Sequence, residues 1–109
     1  MGSEYTFWVY IVTNWKKTVL YVGITNDLNR RLAEHYANRG NQNTFAGRYY
    51  CNNLVYYEEH LYVETAIHRE KEIKSLSRDK KEALIQSFNP EWKFLNTQIC
   101  GAWPPKIPS

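Results

Sequence analysis

Two short runs of β-branched and aromatic residues near the start of the chain constrain its fold more than any other feature. Residues 8–13 and 19–24 each have the composition of a β-strand, and a short polar-leaning loop separates them. Strands joined by so short a loop pair as an antiparallel hairpin. If the loop is centred between residues 15 and 16, Tyr10 lies directly opposite Tyr21, and both phenols share one face of the sheet. A slip of one residue would break this arrangement.

A first helix is predicted directly after the hairpin. Asn26 or Asp27 can cap its start, because either side chain can accept a hydrogen bond from the first turn. Gly40 can end it, since glycine readily adopts the left-handed conformation that follows many helices. Apolar residues recur at a four-residue spacing between these signals. The helix is therefore expected to span about residues 28–39.

The second half of the chain predicts one more strand and two more helices. Residues 40–53 are polar and rich in Asn, which indicates a loop with room for a short helical turn. Residues 54–60 predict a third strand and residues 64–76 a second helix. A third helix begins near residue 77 and ends before Asn89, because the following proline disfavours helix there. The order predicts an α+β domain with a small three-stranded antiparallel sheet flanked by helices.

The length and the composition favour one compact domain. A chain of 109 residues with 43% hydrophobic residues can build a single modest core. We expect this domain to span residues 1–96. Residues 97–109 contain three prolines, which exclude a continuous helix, and are expected to form an extended tail.

The charge and the cysteines narrow the class of protein. The net charge of +3 is compatible with a nucleic-acid partner only through a local basic patch. Cys51 and Cys100 match no metal-binding spacing, so free thiols in a reducing compartment are expected, with one disulfide as the alternative.

No stretch is long and apolar enough to cross a bilayer, and the first residues lack the pattern of a signal peptide. A cytoplasmic protein with no membrane association is expected.

Glu70 is a charged residue that periodicity places in an apolar stripe. On the second predicted helix, Val63, Ala66, Ile67 and Ile73 form the stripe, and Glu70 falls near its middle. A carboxylate in such a position is unfavourable unless it is paired or binds a metal. Two interpretations remain open, a salt bridge to Lys or Arg and a role in a functional site.

Arg31 and His35 are four residues apart on the first predicted helix and therefore lie one above the other. A guanidinium and an imidazole side by side suit a phosphate group, whereas a polar pair at the core edge is the alternative. Together with the two phenols and the carboxylate, they supply the base, the cation and the metal ligand that phosphodiester hydrolysis needs.

An ordered series of motifs resembles the GIY-YIG nuclease family. The motifs are Val9–Ile11, Tyr21–Gly23, Thr25–His35, Leu54–Glu59, Arg69–Lys74 and Asn89–Trp92. The series covers about residues 8–95 and is far more specific than any single motif. The small stand-alone bacterial type of the family is the most similar, because nothing is left over for a second domain.

The resemblance implies a set of site residues. The family's catalytic residues correspond to Tyr10, Tyr21, Arg31 and His35, and its metal-binding glutamate to Glu70. Residues expected to contact the substrate are Gly23, Thr25, Arg30, Arg48 and Lys74. At the glycine, a side chain would crowd the site. Two departures stand out: Trp8 replaces the glycine of the first motif, and the family's late asparagine could be either Asn89 or Asn96.

The resemblance also implies a metal-dependent endonuclease that hydrolyses phosphodiester bonds by a one-metal mechanism. A single Mg²⁺ or Mn²⁺ ion held by Glu70 would bind a phosphate oxygen and the leaving oxygen. Tyr10, helped by His35 or Tyr21, would take a proton from the attacking water, and Arg31 would stabilise the transition state. DNA, including structured or branched DNA, is expected as the substrate in preference to RNA.

Two alternatives use the same residues differently. The chain could be a nucleic-acid-binding module with an inactive nuclease fold, which would show no metal-dependent cleavage. It could also be a subunit that is active only with a protein partner, and Trp103 with the proline-rich end is then the candidate contact.

Overall fold

The computed structural model describes residues 6–105. Along them lie three strands and five helices: β1 Phe7–Thr13, β2 Leu20–Thr25, α1 Leu28–Ala37, α2 Phe45–Arg48, β3 Asn53–His60, α3 Val63–Ser75, α4 Arg78–Phe88 and α5 Asn96–Cys100. The strands form one antiparallel sheet in the order β2-β1-β3. The predicted α+β class is confirmed, and α2 and α5 are short additions to it.

The register of the β1–β2 hairpin differs from the predicted one. Tyr10 pairs with Gly23, and Tyr21 pairs with Val12. The prediction that the two tyrosines lie directly opposite each other is therefore wrong by two residues. Because the shift is even, both phenols still occupy the same face of the sheet.

The loop between β1 and β2 explains this register. The side chain of Asn14 accepts hydrogen bonds from the backbone N–H groups of Thr18 and Val19, at 2.8 and 3.0 Å. These bonds hold both residues in the turn. Lys17 adopts a φ of 59°, the left-handed conformation that lets the chain reverse. The loop consequently spans residues 14–19 and shifts β2 by two positions.

The sheet separates two hydrophobic clusters. On one face, which we call the α3 face, Val9 and Ile11 pack with residues of α3 and α4. On the other, the α1 face, Tyr10 packs with residues of α1 and α2. The predicted alternation along β1 is confirmed, and it places the two site tyrosines on the α1 face.

Helix α1 begins where the sequence indicates. The side chain of Asp27 accepts a hydrogen bond from the N–H of Arg30 at 3.0 Å. The Thr25 hydroxyl in turn accepts a hydrogen bond from the N–H of Asp27 and donates one to its carbonyl. Thr25 thus fixes the entry into α1.

Both cysteines, Cys51 and Cys100, are free thiols, as expected.

Helix α3 buries a different stripe from the predicted one. Ala66 and Ile73 are buried, but Val63 and Ile67 are exposed, so half of the predicted stripe is wrong. Val63 is the first residue of the helix. The actual stripe repeats through residues 66, 70 and 73, and Glu70 remains on its buried side.

The end of the described chain departs from the extended tail that the prolines predicted. Residues 97–100 belong to α5, and Trp103 packs edge-to-face against Tyr36 with ring centroids 5.4 Å apart. Asn96 attaches this segment to the rest of the domain. Its side-chain oxygen accepts a hydrogen bond from the N–H of Leu54, and its side-chain N–H donates one to the carbonyl of Asn52. Residues 106–109 lie outside the described range.

Within residues 6–105, no helix combines the length and the apolarity needed to cross a bilayer.

Candidate active site

The centre of the α1 face holds a hydrogen-bonded pair of tyrosine and histidine. Tyr10 projects from the central strand β1 and is fully buried, and its phenol oxygen lies 2.8 Å from Nε2 of His35 on α1. The ring of Tyr21 meets the same imidazole edge-on, with centroids 5.4 Å apart. The structure therefore brings together the two predicted phenols and the predicted imidazole.

Gly23 provides the space that the Tyr10 ring occupies. A Cβ atom added to Gly23 would lie 2.9 Å or less from three atoms of the phenol, including its oxygen. Real Cβ contacts are not this short, so Tyr10 would have to move. A side chain at this position would therefore crowd the Tyr10 phenol.

The two consecutive arginines of α1 have different surroundings. The side chain of Arg31 is 31% exposed and that of Arg30 is 57% exposed. Both pair with Glu34, at 3.2 and 3.5 Å respectively. Arg31 also lines a pocket beside His35, whereas Arg30 faces solvent. The structure thus distinguishes the inward arginine from the outward one as predicted.

Burial controls the protonation of the Tyr10–His35 pair. Burial raises the pKa of Tyr10 above its ordinary value, and the nearby Arg31 charge lowers it only in part. Burial, and then the charge of Arg31, lower the pKa of His35 to about 4. At neutral pH the imidazole is therefore uncharged, and one of its nitrogens can accept a proton.

A pocket of about 180 Å³ lies next to these side chains on the α1 face. Tyr21, Arg31 and His35 line one side of it. The sequence did not predict the residues that line its other side, which are Asn38, Thr44, Phe45, Ala46 and Gly47. Thr44 was an available signal, because it caps α2 by accepting a hydrogen bond from the N–H of Gly47 at 3.1 Å.

Glu70 lies apart from this group. It belongs to α3, which packs on the opposite face of the sheet, and its side chain is 14% exposed. Its Oε2 lies 2.8 Å from Nζ of Lys74, so the salt-bridge interpretation is the one observed. Within the described part of the chain, no hydrogen bond or ion pair joins Glu70 to Tyr10, Arg31 or His35.

A divalent ion at Glu70 would have to take most of its ligands from water and substrate. Residues 6–105 contain no group of three or more His, Cys, Asp or Glu side chains that could form a protein cage. Mg²⁺ is commonly held by one or two carboxylates together with water and substrate phosphate. Glu70 suits this mode, because it is largely buried and its observed partner is a flexible, half-exposed lysine.

The remaining predicted contacts are engaged within the protein. Thr25 bonds the backbone of Asp27, and Lys74 pairs with Glu70. Arg48 is exposed on α2, next to the pocket, and donates to the carbonyl of Gln42 at 3.0 Å.

Neither candidate for the late asparagine is free to act in the site. The Asn89 amide donates to the carbonyls of Val55 and Lys93, and its oxygen accepts the N–H of Lys93. Asn96 is buried and bonds Asn52 and Leu54 through its amide. Each amide joins two backbone segments, which is a structural role.

Comparisons with known proteins agree with this fold. The family model of the GIY-YIG catalytic domain matches residues 6–83. A UPF0213 protein of Natronomonas pharaonis is 44% identical over 78 residues, which cover 72% of this chain and 88% of that protein. One of Staphylococcus haemolyticus is 38% identical over 79 residues, covering 72% and 93%. The solution NMR structure of a UPF0213 protein of Bacillus halodurans covers 84% of this chain and 95% of its own, with 30% identity and a TM-score of 0.52.

Proposed function

This chain belongs to the GIY-YIG family, a family of nucleases, and we propose on that premise that it is a metal-dependent endonuclease that hydrolyses phosphodiester bonds in DNA. Structured or branched DNA is included, and RNA ranks second. The observation that carries the proposal is the Tyr10–His35 hydrogen bond next to Arg31 and a pocket. This arrangement pairs an uncharged proton acceptor with a cation, as hydrolysis of a phosphodiester requires.

We assign proton uptake to the Tyr10–His35 pair. With the ring hydrogen on Nδ1, Nε2 of His35 accepts the phenolic proton while the phenol oxygen receives a proton from the attacking water. The O–H bond of water breaks as the new P–O bond forms, and the 3′ oxygen leaves. Because Tyr10 is fully buried in the free protein, water must approach it from the pocket that Tyr21 and His35 line.

Arg31 links substrate binding to the strength of this base. Its guanidinium can bind the phosphate and stabilise the charge that develops on it. Its positive charge is also a cause of the low pKa of His35. A bound phosphate offsets that charge, so His35 becomes a better proton acceptor when the substrate is present. Because Glu70 lies on α3, on the opposite face of the sheet from Tyr10, a divalent ion that it held would reach the phosphate from a different side than Arg31, and there it would supply further positive charge to the phosphate and to the leaving oxygen.

A cleavage assay with matched variants tests this function. Labelled duplex, flap, branched and single-stranded DNA, with RNA counterparts, are incubated with Mg²⁺, with Mn²⁺ or with chelator. We expect cleavage with metal and none with chelator. Glu70→Gln abolishes cleavage, while the control Glu72→Gln, which changes an exposed carboxylate on the same helix, retains it. Full activity of Glu70→Gln, or no cleavage of any substrate, contradicts the proposal.

One observation favours a second candidate, a nucleic-acid-binding module with an inactive nuclease fold. Glu70 is paired with Lys74 and lies on the opposite face of the sheet from Tyr10. If Lys74 holds the carboxylate permanently, the chain binds the metal poorly. Binding of the same substrates without metal-dependent cleavage would identify this function.

A further inference from the structure

A cluster of exposed aromatic side chains lies on and after α2. Phe45, Tyr49 and Tyr50 are 52%, 42% and 54% exposed, and we call them the aromatic platform. The rings of Phe45 and Tyr49 contact each other, with centroids 4.9 Å apart. Single exposed aromatic residues are ordinary on protein surfaces. Three within six residues form an exposed apolar patch, which is typical of a surface that binds another molecule.

The platform is continuous with the candidate active site. The ring of Phe45 is stacked on that of Tyr21, with centroids 6.4 Å apart and an angle of 27° between the planes. Tyr21 in turn contacts His35, and Phe45 lines the same pocket as Arg31. A nucleic-acid strand with a phosphate at Arg31 would therefore have the Phe45 ring in the same pocket.

The charge around the platform suits an anionic partner. No Asp or Glu occurs between Glu34 and Glu58 in the sequence. Arg39 and Arg48 are both exposed in this segment, and the Arg39 guanidinium lies 3.7 Å from the centroid of the Tyr36 ring. Aromatic faces interleaved with arginines are the combination by which proteins bind single strands, through base stacking and contacts to phosphates.

One backbone feature keeps part of the platform at the surface. Tyr50 adopts a φ of 57°, which is uncommon for a residue with a side chain. Its phenol oxygen lies against Gly40, 3.1 Å from the position that a Cβ atom would take there. The Tyr50 ring therefore packs over Gly40, and the residue remains more than half exposed.

We propose that the aromatic platform stacks the bases of unpaired nucleotides next to the scissile phosphate. The substrate class is then a single strand, or the single-stranded part of a flap or junction, because bases inside a duplex do not present their faces. This inference rests on the proposed function, since it places the platform beside the phosphate that the site cleaves.

A binding experiment without metal tests the platform. Labelled oligothymidine of about 12 nucleotides, within the usual site size of single-strand binding folds, is titrated in chelator and compared with a duplex of equal length. We expect tighter binding of oligothymidine. Phe45→Ala and Tyr49→Ala each weaken it about tenfold and change duplex binding little, because the stacked base is lost. Oligouridine of the same length shows which sugar is preferred.

Two further variants separate stacking from a general effect. Phe45→Trp keeps an aromatic face and retains the binding. Tyr62→Ala, which removes a more exposed tyrosine directly before α3, leaves it unchanged. A preference for duplex, no detectable binding of oligothymidine, or equal effects of Phe45→Ala and Tyr62→Ala overturns the proposal. Because no metal is present, stacking can be confirmed even if cleavage is never found. Cleavage of single strands that Phe45→Ala leaves unchanged would refute only the platform.

Discussion

The phenol oxygen of Tyr10 and Nε2 of His35 lie 2.8 Å apart, although the two residues are 25 positions apart in the sequence. The central strand β1 fixes the first and helix α1 the second. Their contact therefore depends on how α1 packs against the sheet, and the uncharged state of His35 depends on the burial that this packing produces.

His35 should make the stability of the protein depend on pH. Its folded pKa of about 4 lies below its ordinary value of 6.5, so the unfolded chain binds the proton first as the pH falls. The contribution of His35 to stability is therefore constant well above pH 6.5, decreases between pH 6.5 and about 4, and levels off below. The full loss is on the order of 3 kcal/mol.

Urea unfolding of wild type and His35→Gln across this range measures the effect. The variant keeps an uncharged hydrogen-bonding group near Tyr10, and its stability should vary less in the pH window. His68→Gln, an exposed histidine on α3, serves as the control and should behave as the wild type does. Identical pH profiles for wild type and His35→Gln would contradict the low pKa.

Gly23→Ala should disturb both the fold and the site. The new methyl group would overlap the Tyr10 phenol, and relief of such crowding in a packed core costs about 1–3 kcal/mol. Thermal unfolding and cleavage should both be impaired. In a Tyr10→Ala background the same change should cost less stability, since the overlapping ring is absent. An equal cost in both backgrounds would mean that another contact excludes the methyl group.

Arg31→Lys should reduce cleavage on the order of tenfold to a hundredfold, and Arg30→Lys should not. Both arginines pair with Glu34, so any weakening of that ion pair is common to the two variants. Only Arg31 lines the pocket with His35. Lysine cannot reproduce the two parallel hydrogen bonds that a guanidinium donates to phosphate. Equal rates for the two variants would show that the pocket does not hold the reacting phosphate.

Asn96→Ala should destabilise the fold without changing the chemistry. The substitution leaves the buried N–H of Leu54 and the carbonyl of Asn52 without their partner, which costs about 1–3 kcal/mol. Chemical denaturation measures this cost, and the exposed Asn43→Ala provides a neutral comparison. The rate per folded molecule should equal that of the wild type. A specific loss of rate at full folding would instead make Asn96 part of the site.

The sequence predicted those parts of the site that depend on local periodicity. The alternation along β1 and β2 placed Tyr10 and Tyr21 on one face, and the four-residue spacing placed Arg31 above His35. These assignments hold because strand and helix periods are intrinsic to the backbone. The hairpin register failed, since it depends on which side-chain hydrogen bonds close the loop, and Asn14 made the turn longer.

Features that depend on tertiary packing were not predictable from the sequence. The pocket exists because α2 lies beside α1, and no periodicity signals the placement of a four-residue helix. On α3 the prediction included Val63 and Ile67, because hydropathy alone cannot show where the sheet ends. The sequence left open a salt bridge from Glu70 to a Lys or Arg, and the structure identifies the partner as Lys74, four residues further along the helix.

The position of β1 between two neighbouring strands has a consequence for hydrogen exchange. The backbone of Tyr10 lies in a strand that is paired on both sides, so its amide should exchange only when the whole domain unfolds. The single turn of α2 has few such constraints and should exchange through local opening. The tyrosine of the proposed proton relay thus lies in a strand paired on both sides, and we expect any adjustment that admits a substrate to come from the α2 side of the pocket.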